Sequence, residues 1–206
     1  MIPRFEANTA LLIIDAQVGV NVLHHWGGPQ GRRNNPDAEE RIADLLHAWR
    51  QQQMPVFYTV HDSRESKSPL KLSLETGKII PKLEPKEDEV IIRKDVNSGF
   101  VGTNLELQLR RSGISRIVVA GFFTNMCIET TVRMSGNLGF DTYLVEDACA
   151  CTNRTQMDGT DVAPETVHNM TLANLHGEFC TVLNLKQVQA LQKSNASELN
   201  RMMGNE

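Results

Sequence analysis

A chain of 206 residues is long enough to bury one hydrophobic core, and its 40% hydrophobic and 22% charged residues are typical of globular proteins. The net charge of -4 comes without a cluster of basic residues, so the sequence offers no electrostatic footprint for nucleic acid. We therefore expect no nucleic-acid partner.

The first residues and the cysteines bear on the cellular compartment. The segment MIPRFEANTALLIIDAQ has no basic leader, and its apolar run is too short for a signal peptide or a membrane span. Four cysteines in a chain of this length do not suggest a disulfide framework. We expect a cytoplasmic protein with reduced thiols and no membrane partner.

Short apolar runs alternate with longer amphipathic stretches along the sequence. The first run, TALLII, is continuously apolar, which is typical of a strand buried on both faces. In chain order we predict a strand at Thr9–Ile14, a helix at Asp37–Gln53, strands at Pro55–Val60 and Val90–Ile92, a helix at Thr103–Arg111, a strand at Arg116–Ala120, a helix at about 125–138, a strand at Asp141–Val145, a helix at Pro164–His176, a strand at Phe179–Leu183 and a helix at Lys186–Lys193.

Strands that alternate with helices indicate βαβ units, which place consecutive strands in a parallel sheet. We predict an α/β fold with one doubly wound, mainly parallel six-stranded sheet and helices on both faces. The sequence shows no repeat and no interdomain linker. Residues 1–206 are therefore expected to form a single domain, with a flexible tail over about 195–206.

Three reactive side chains follow predicted strands. Asp15 comes directly after the first strand, Lys94 just beyond the third, and Cys127 at the start of the helix after the fourth. In a doubly wound sheet, ligands bind beyond the carboxyl ends of the strands, where the strand order reverses. Taken singly, the residues could be a helix cap, a solvated charge and a buried small hydrophobe. Their convergence predicts a catalytic site.

The segments LLIIDAQ, IIRKDVNSGF and VVAGFFTNMCIETTVRMSGNLGF resemble the signature segments of the isochorismatase-like cysteine hydrolases, over about residues 8–183. This Rossmann-like family includes N-carbamoylsarcosine amidases, ureidoacrylate amidohydrolases and nicotinamidases. The resemblance implies a catalytic triad of Asp15, Lys94 and Cys127. It also implies a cis peptide between Phe122 and Phe123, and an oxyanion hole formed by the backbone N–H groups of Phe123 and Cys127.

The resemblance, together with the presence of Cys127, implies a cysteine hydrolase that cleaves an amide or carbamoyl C–N bond of a small molecule. Asp15 would take the proton of Cys127, Lys94 would stabilise the thiolate, and a thioester would form. A helix N-terminus and a nearby lysine are both expected to lower the pKa of the thiol. Cys127 itself argues against vinyl ether hydrolysis, because isochorismatases of that type generally lack the cysteine.

Two further alternatives stay open. In a thiol redox protein or sensor, Cys149 or Cys151 would resolve an oxidised Cys127, since both are expected to follow the fifth strand at the same sheet edge. In a pseudoenzyme, the pocket would bind a ligand without turning it over. The complete trio favours the enzyme over both alternatives.

The remaining expectations concern the pocket, cofactors and assembly. We expect no metal and no cofactor, because His61 and Asp62 are adjacent and no second histidine follows in that loop. His168 is interpreted as a structural histidine. The resemblance also implies a homo-oligomer, a dimer or tetramer. The residues expected to contact the substrate are Gln17, Trp26, His61, Phe100 and Phe122, although Trp26 could equally serve an oligomer contact and Phe100 the core.

Overall fold

The strands of the computed structural model fall at the predicted places along the chain. The structure describes Ile2 and residues 4–192, so the tail expected over about 195–206 lies outside the described residues. The strands are β1 (Thr9–Ile14), β2 (Val56–His61), β3 (Val90–Lys94), β4 (Arg116–Phe122), β5 (Asp141–Ala150), β6 (Arg154–Thr155), β7 (Asp161–Val162) and β8 (Thr181–Leu183).

Six of these strands form one sheet in the order β3-β2-β1-β4-β5-β8, and every pair in it is parallel. The order runs outward from β1 in both directions, which is the doubly wound arrangement predicted from the sequence. The strand order therefore reverses between β1 and β4. That point is where the carboxyl edge of the sheet opens a crevice for a ligand.

Helices cover both faces of the sheet. They are α1 (Leu23–Gly27), α2 (Ala38–Gln51), α3 (Leu105–Arg111), α4 (Glu129–Asn137) and α5 (Pro164–Leu175), and residues 185–192 are also helical. The buried side chains of α2 belong to one hydrophobic core, whereas those of α3, α4 and α5 belong to a second core on the opposite face. The prediction of helices on both faces is confirmed.

The sequence of β1 explains its central place. Its side chains alternate between the two cores: Leu11 and Ile13 pack toward Trp49 of α2, and Leu12 and Ile14 pack on the other side. All six residues of the strand are buried. A strand with two buried faces cannot alternate apolar with polar residues, which is why TALLII is apolar throughout.

Several strands run further than predicted, and the extensions matter at the carboxyl edge. β2 continues to His61 and β3 to Lys94, and these two residues are partners in the parallel register. β5 continues to Ala150, with a register irregularity between Val119 and Gly121 of its neighbour β4. The short helix α1 and the antiparallel pair β6–β7 were not predicted.

Among the described residues, every helix is too short or too polar to cross a lipid bilayer.

Close contact between β1 and β4 predicts a steric requirement at Gly121. A Cβ added there would lie 2.1 Å from the Ile14 carbonyl oxygen, whereas one added at Gly139 would meet nothing within 4 Å. Both glycines have positive φ, 131° and 82°. We expect Gly139→Ala to cost about 1–2 kcal/mol of unfolding free energy from backbone strain alone. Gly121→Ala should cost about 1–3 kcal/mol more because it also pushes the two strands apart.

Urea denaturation of the two variants measures this difference directly. Equal losses of stability would show that β1 and β4 do not approach as closely as the structure has them.

Candidate active site

Asp15 stands at the point where β1 ends, and its backbone is held on both sides. It is a non-glycine residue with φ of 51°, a conformation that is unfavourable unless the surroundings enforce it. Its N–H donates to the Thr59 carbonyl (3.1 Å), and its carbonyl accepts from the Gln17 N–H (2.8 Å). The first bond ties the end of β1 to the neighbouring strand β2, and the second closes the turn after Asp15.

The Lys94 ammonium contacts Asp15, Cys127 and His61 at the same time. Its Nζ lies 2.6 Å from Asp15 Oδ2, 3.4 Å from Cys127 Sγ and 2.9 Å from His61 Nδ1, and it donates to the Val96 carbonyl (3.1 Å). The side chains of Lys94 and Asp15 are 0% and 1% exposed. The structure thus brings Asp15, Lys94 and Cys127 together around a buried ion pair.

The second carboxylate oxygen of Asp15 also has a partner. The Thr59 hydroxyl donates to Asp15 Oδ1 at 2.7 Å, within the buried end of β2. Sequence reasoning missed Thr59, because a threonine inside a β-strand is ordinary and nothing in its sequence neighbourhood marks it. Each oxygen of the carboxylate is therefore oriented by a different strand, Oδ1 by β2 and Oδ2 by β3.

Cys127 lies in a π-helical turn, Thr124–Ile128, which follows β4 and leads into α4. The peptide between Phe122 and Phe123 just before this turn is cis, as the resemblance implied. Besides Lys94, the sulfur contacts Asn97 Oδ1 at 3.8 Å. The sulfur, a carboxylate oxygen of Asp15 and a ring nitrogen of His61 lie within 4.8 Å of one another.

The resting state of the Cys127 thiol differs from the sequence expectation. Burial raises its pKa, the charge of Asp15 raises it further, and Lys94 only partly opposes the two. The expected lowering of the pKa is therefore wrong, because a thiolate in this buried place would lose water and face a carboxylate. Cys127 therefore rests as a neutral thiol beside the Asp15 carboxylate.

The surroundings of Lys94 and His61 favour a charged lysine and a neutral histidine. Burial lowers the pKa of Lys94, but the contributions of Asp15 and Cys127 together outweigh burial and the pKa is raised overall. Burial and the charge of Lys94 lower the pKa of His61. Since an ammonium only donates hydrogen bonds, the Nδ1 of neutral His61 must accept from Lys94, and its proton sits on Nε2.

A cavity of about 230 Å³ opens over Cys127. Three of the residues expected to contact substrate line it: Trp26, His61 and Phe122. The Trp26 indole N–H donates to the Gly19 carbonyl at 2.9 Å. Phe123, expected at the oxyanion hole, also lines the cavity. Sequence reasoning did not assign the remaining lining residues to the pocket, and all but Asn97 and Met126 lie outside the quoted signature segments: Val20, Ser63, Glu65, Ser68, Leu70, Asn97 and Met126.

Two residues expected at the substrate lie elsewhere. Phe100 packs against the core beneath α3 and α4 and stacks on Phe140 at a centroid distance of 6.0 Å, so it is not among the cavity-lining residues. Gln17 is fully buried, and its amide binds the His61 and Gly77 carbonyls and the His61 N–H. With these bonds made, Gln17 secures the end of β2 and has no contact to offer a substrate.

The donors of the site resemble a metal cluster, but the protein supplies its own cation there. Asp15, His61 and Cys127 are close enough to share an ion. The Lys94 ammonium, however, lies within 2.6–3.4 Å of all three, in the position that a metal would need. The residues therefore do not fit a metal site, since an ion would have to displace a buried, paired lysine.

The other cysteines and His168 are buried among packed side chains. Cys149 lies at the carboxyl end of β5 and Cys151 directly follows that strand, but the two side chains are on opposite faces of the sheet: Cys149 packs in the core that contains Cys127, and Cys151 packs in the other core. Both are 0% exposed, and the Cys151 thiol donates to the Pro164 carbonyl. His168 bonds the Thr124 hydroxyl at 2.8 Å, and burial lowers its pKa to about 4, consistent with a structural histidine.

Comparison with known proteins places the chain among related sequences. The Isochorismatase domain family matches residues 9–187. The isochorismatase family protein YrdC of Bacillus subtilis is 42% identical over 183 residues, 89% of this chain and 95% of that protein. Ureidoacrylate amidohydrolase RutB of Acinetobacter baylyi is 38% identical over 71 residues, 34% of this chain and 29% of that protein.

Solved structures share the whole fold. A putative hydrolase of the isochorismatase family from Chromobacterium violaceum superposes with a TM-score of 0.86 at 40% identity, covering 93% of this chain and 97% of that one. A cysteine hydrolase from Pseudomonas syringae superposes with a TM-score of 0.81 at 26% identity, covering 94% and 96% of the two chains.

The buried ion pair predicts strong energetic coupling. Lys94→Met leaves the Asp15 carboxylate buried without a counterion, and Asp15→Asn leaves the ammonium, so each variant should lose about 3–5 kcal/mol of stability. The double variant should lose at least about 2 kcal/mol less than the sum of the two. Arg64 and Asp95 form an exposed pair and serve as the control, with an expected coupling below about 1 kcal/mol. Denaturant unfolding of the single and double variants of each pair measures the two coupling energies. Additive losses of stability for Asp15 and Lys94 would contradict the predicted coupling.

The raised pKa values predict that the cysteine thiols ionise only at high pH. Burial raises the pKa of Cys127 above its usual value and also those of the other three cysteines, Cys149, Cys151 and Cys180. A raised pKa keeps the protonated form, so thiolate absorbance near 240 nm should stay flat from pH 6 to about 9. A step below pH 8 in the wild type that is lost in Cys127→Ser would show that Cys127 rests as a thiolate.

Proposed function

This chain is a hydrolase of the isochorismatase-like cysteine hydrolase family, and from that premise we propose that it cleaves a C–N bond of a small amide through a thioester on Cys127. The observation that carries the proposal is the Lys94 ammonium, which lies 2.6 Å from the Asp15 carboxylate and 3.4 Å from the Cys127 sulfur. A base, a cation and a nucleophile within reach of one another are what covalent catalysis requires.

One comparison supports amide chemistry, and a second supports the use of a cysteine. RutB, which resembles this chain over part of its length, is an amidohydrolase, and the Pseudomonas syringae protein of the same fold is a cysteine hydrolase. The cavity supports a small substrate, since about 230 Å³ is below the usual volume of a site for drug-sized ligands.

The first step forms the acyl–sulfur bond. Asp15 accepts the proton of the Cys127 thiol, and the sulfur attacks the substrate carbonyl carbon while the π electrons move to oxygen. Lys94 keeps its charge and stabilises the developing thiolate. The backbone N–H groups of Phe123 and Cys127 donate to the oxyanion in this proposal, which uses the turn after the cis peptide.

The second step breaks the C–N bond, and the third restores the enzyme. Asp15 returns its proton to the substrate nitrogen, the carbonyl reforms, and ammonia or an amine leaves a thioester on Cys127. A water molecule then gives a proton to Asp15 and adds to the thioester carbon. The C–S bond breaks, the acid departs, and the sulfur recovers the proton from Asp15.

Removal of the nucleophile tests the proposal. We expect Cys127→Ala to lower ammonia release from small amides at least about a thousandfold, because the acyl acceptor is gone. Asp15→Asn should lower it by a similar factor, since the thiol then has no base. Cys180→Ala is the control: it removes a buried thiol that takes no part in the proposed steps, so it should retain activity near that of the wild type. Ammonia release from Cys127→Ala at the wild-type rate would refute the proposal.

A further inference from the structure

The cavity over Cys127 is negatively charged at its rim. Glu65 is exposed there, and it is the one ionised side chain among the lining residues that the structure describes. Ser63, Ser68 and Asn97 are neutral, and burial lowers the pKa of His61, so the imidazole is neutral as well. A ligand in this cavity meets a carboxylate and no free cation on the wall.

Four cations contact wall residues without lining the cavity: Lys94, Arg33, Lys71 and Arg154, whose guanidinium donates to the Trp26 carbonyl at 3.3 Å. Lys94 is paired with Asp15. The Arg33 guanidinium lies 5.3 Å from the centre of the Phe122 ring, but it forms a largely buried ion pair with Glu39 at 2.7 Å. The Lys71 ammonium donates to the Ser63 carbonyl at 2.9 Å. To bind a substrate carboxylate, Lys94 or Arg33 would have to give up a buried ion pair. Lys71 and Arg154 keep further N–H donors, but both contact the wall through backbone carbonyls and neither lines the cavity.

The rest of the wall is apolar. It is formed by Val20, Trp26, Leu70, Phe122, Phe123 and Met126. Such side chains stabilise an apolar acyl group by removing its surface from water. They offer no hydrogen bond that would replace the water around a charged group. The cavity volume of about 230 Å³ equals the liquid volume of roughly eight waters, enough for a small acyl chain.

We propose that this cavity accepts small amides without a carboxylate and rejects those that carry one, with Glu65 as the residue that sets the preference. The catalytic part of this statement rests on the proposed function. The physical reason does not: an anion would lose its water beside Glu65 without gaining a counterion.

Alkylation of Cys127 measures the charge preference of the cavity and does not require amide turnover. Iodoacetamide and iodoacetate are matched reagents that differ in charge, and peptide mass spectrometry locates the product on Cys127. The free thiol 2-mercaptoethanol gives the reference ratio of the iodoacetamide rate to the iodoacetate rate. At low salt, we expect this ratio for Cys127 of the wild type to exceed the reference at least about tenfold. Glu65→Lys should raise the iodoacetate rate at least about threefold, whereas Glu87→Lys, the same charge change at an exposed site outside the cavity lining, should not. No preference in the wild type, or equal effects of the two variants, would overturn the proposal.

Amide turnover separates this proposal from the one on which it builds. Succinamate and 4-methylpentanamide have the same shape, because an isopropyl group replaces the carboxylate, and succinamide adds a neutral polar control. We expect kcat/KM to be at least about tenfold higher for 4-methylpentanamide than for succinamate, and the gap to narrow in Glu65→Lys. Faster cleavage of succinamate would overturn the charge preference and leave the amidase proposal standing. Failure to cleave all three would count against the amidase proposal, and the alkylation ratio would still decide the charge preference.

Discussion

Two opposite charges buried together at the carboxyl edge of the sheet organise this site. Asp15 follows β1 and Lys94 ends β3, with β2 between them, so the two side chains bridge two strand spacings, roughly 10 Å. A lysine is long enough to do so. The intervening strand contributes Thr59 and His61, which contact the carboxylate and the ammonium respectively. The pair is tolerated because each charge has its counterion and further hydrogen bonds in place of water.

The same pair governs the nucleophile. Burial raises the pKa of the Cys127 thiol, and Asp15 raises it further, so the proposed mechanism requires the carboxylate to accept the thiol proton before the sulfur can react. A protonated, buried thiol is also a poor target for oxidants, which react with thiolates. Cys151 packs in the core opposite to that of Cys127, and Cys149, although it packs in the same core, is fully buried and held by close packing. Both observations favour hydrolysis over redox sensing.

The sheet and the clustering of Asp15, Lys94 and Cys127 could be predicted from the sequence because both follow from local patterns of apolar and polar residues. The bounds of β1 agree with the apolar run TALLII, and residues that end parallel strands must share one edge. The cavity wall could be found only in part this way, at Trp26, His61 and Phe122. Glu65 and Asn97 lie on loops whose path is set by tertiary contacts, and Gln17 and Phe100 were misplaced because nothing in the sequence says which neighbours a loop side chain will meet. The thiol pKa was misjudged because burial is a property of the folded chain.

Product partitioning tests the central claim, a shared acyl intermediate on Cys127, most directly. A primary amide and the N-methylamide of the same acid would be hydrolysed with hydroxylamine present, and the ratio of hydroxamate to acid measured for each. A thioester that has already lost its amine predicts the same ratio from both substrates at every hydroxylamine concentration. A ratio that depends on the leaving amine would show that no common acyl-enzyme forms and would contradict the account.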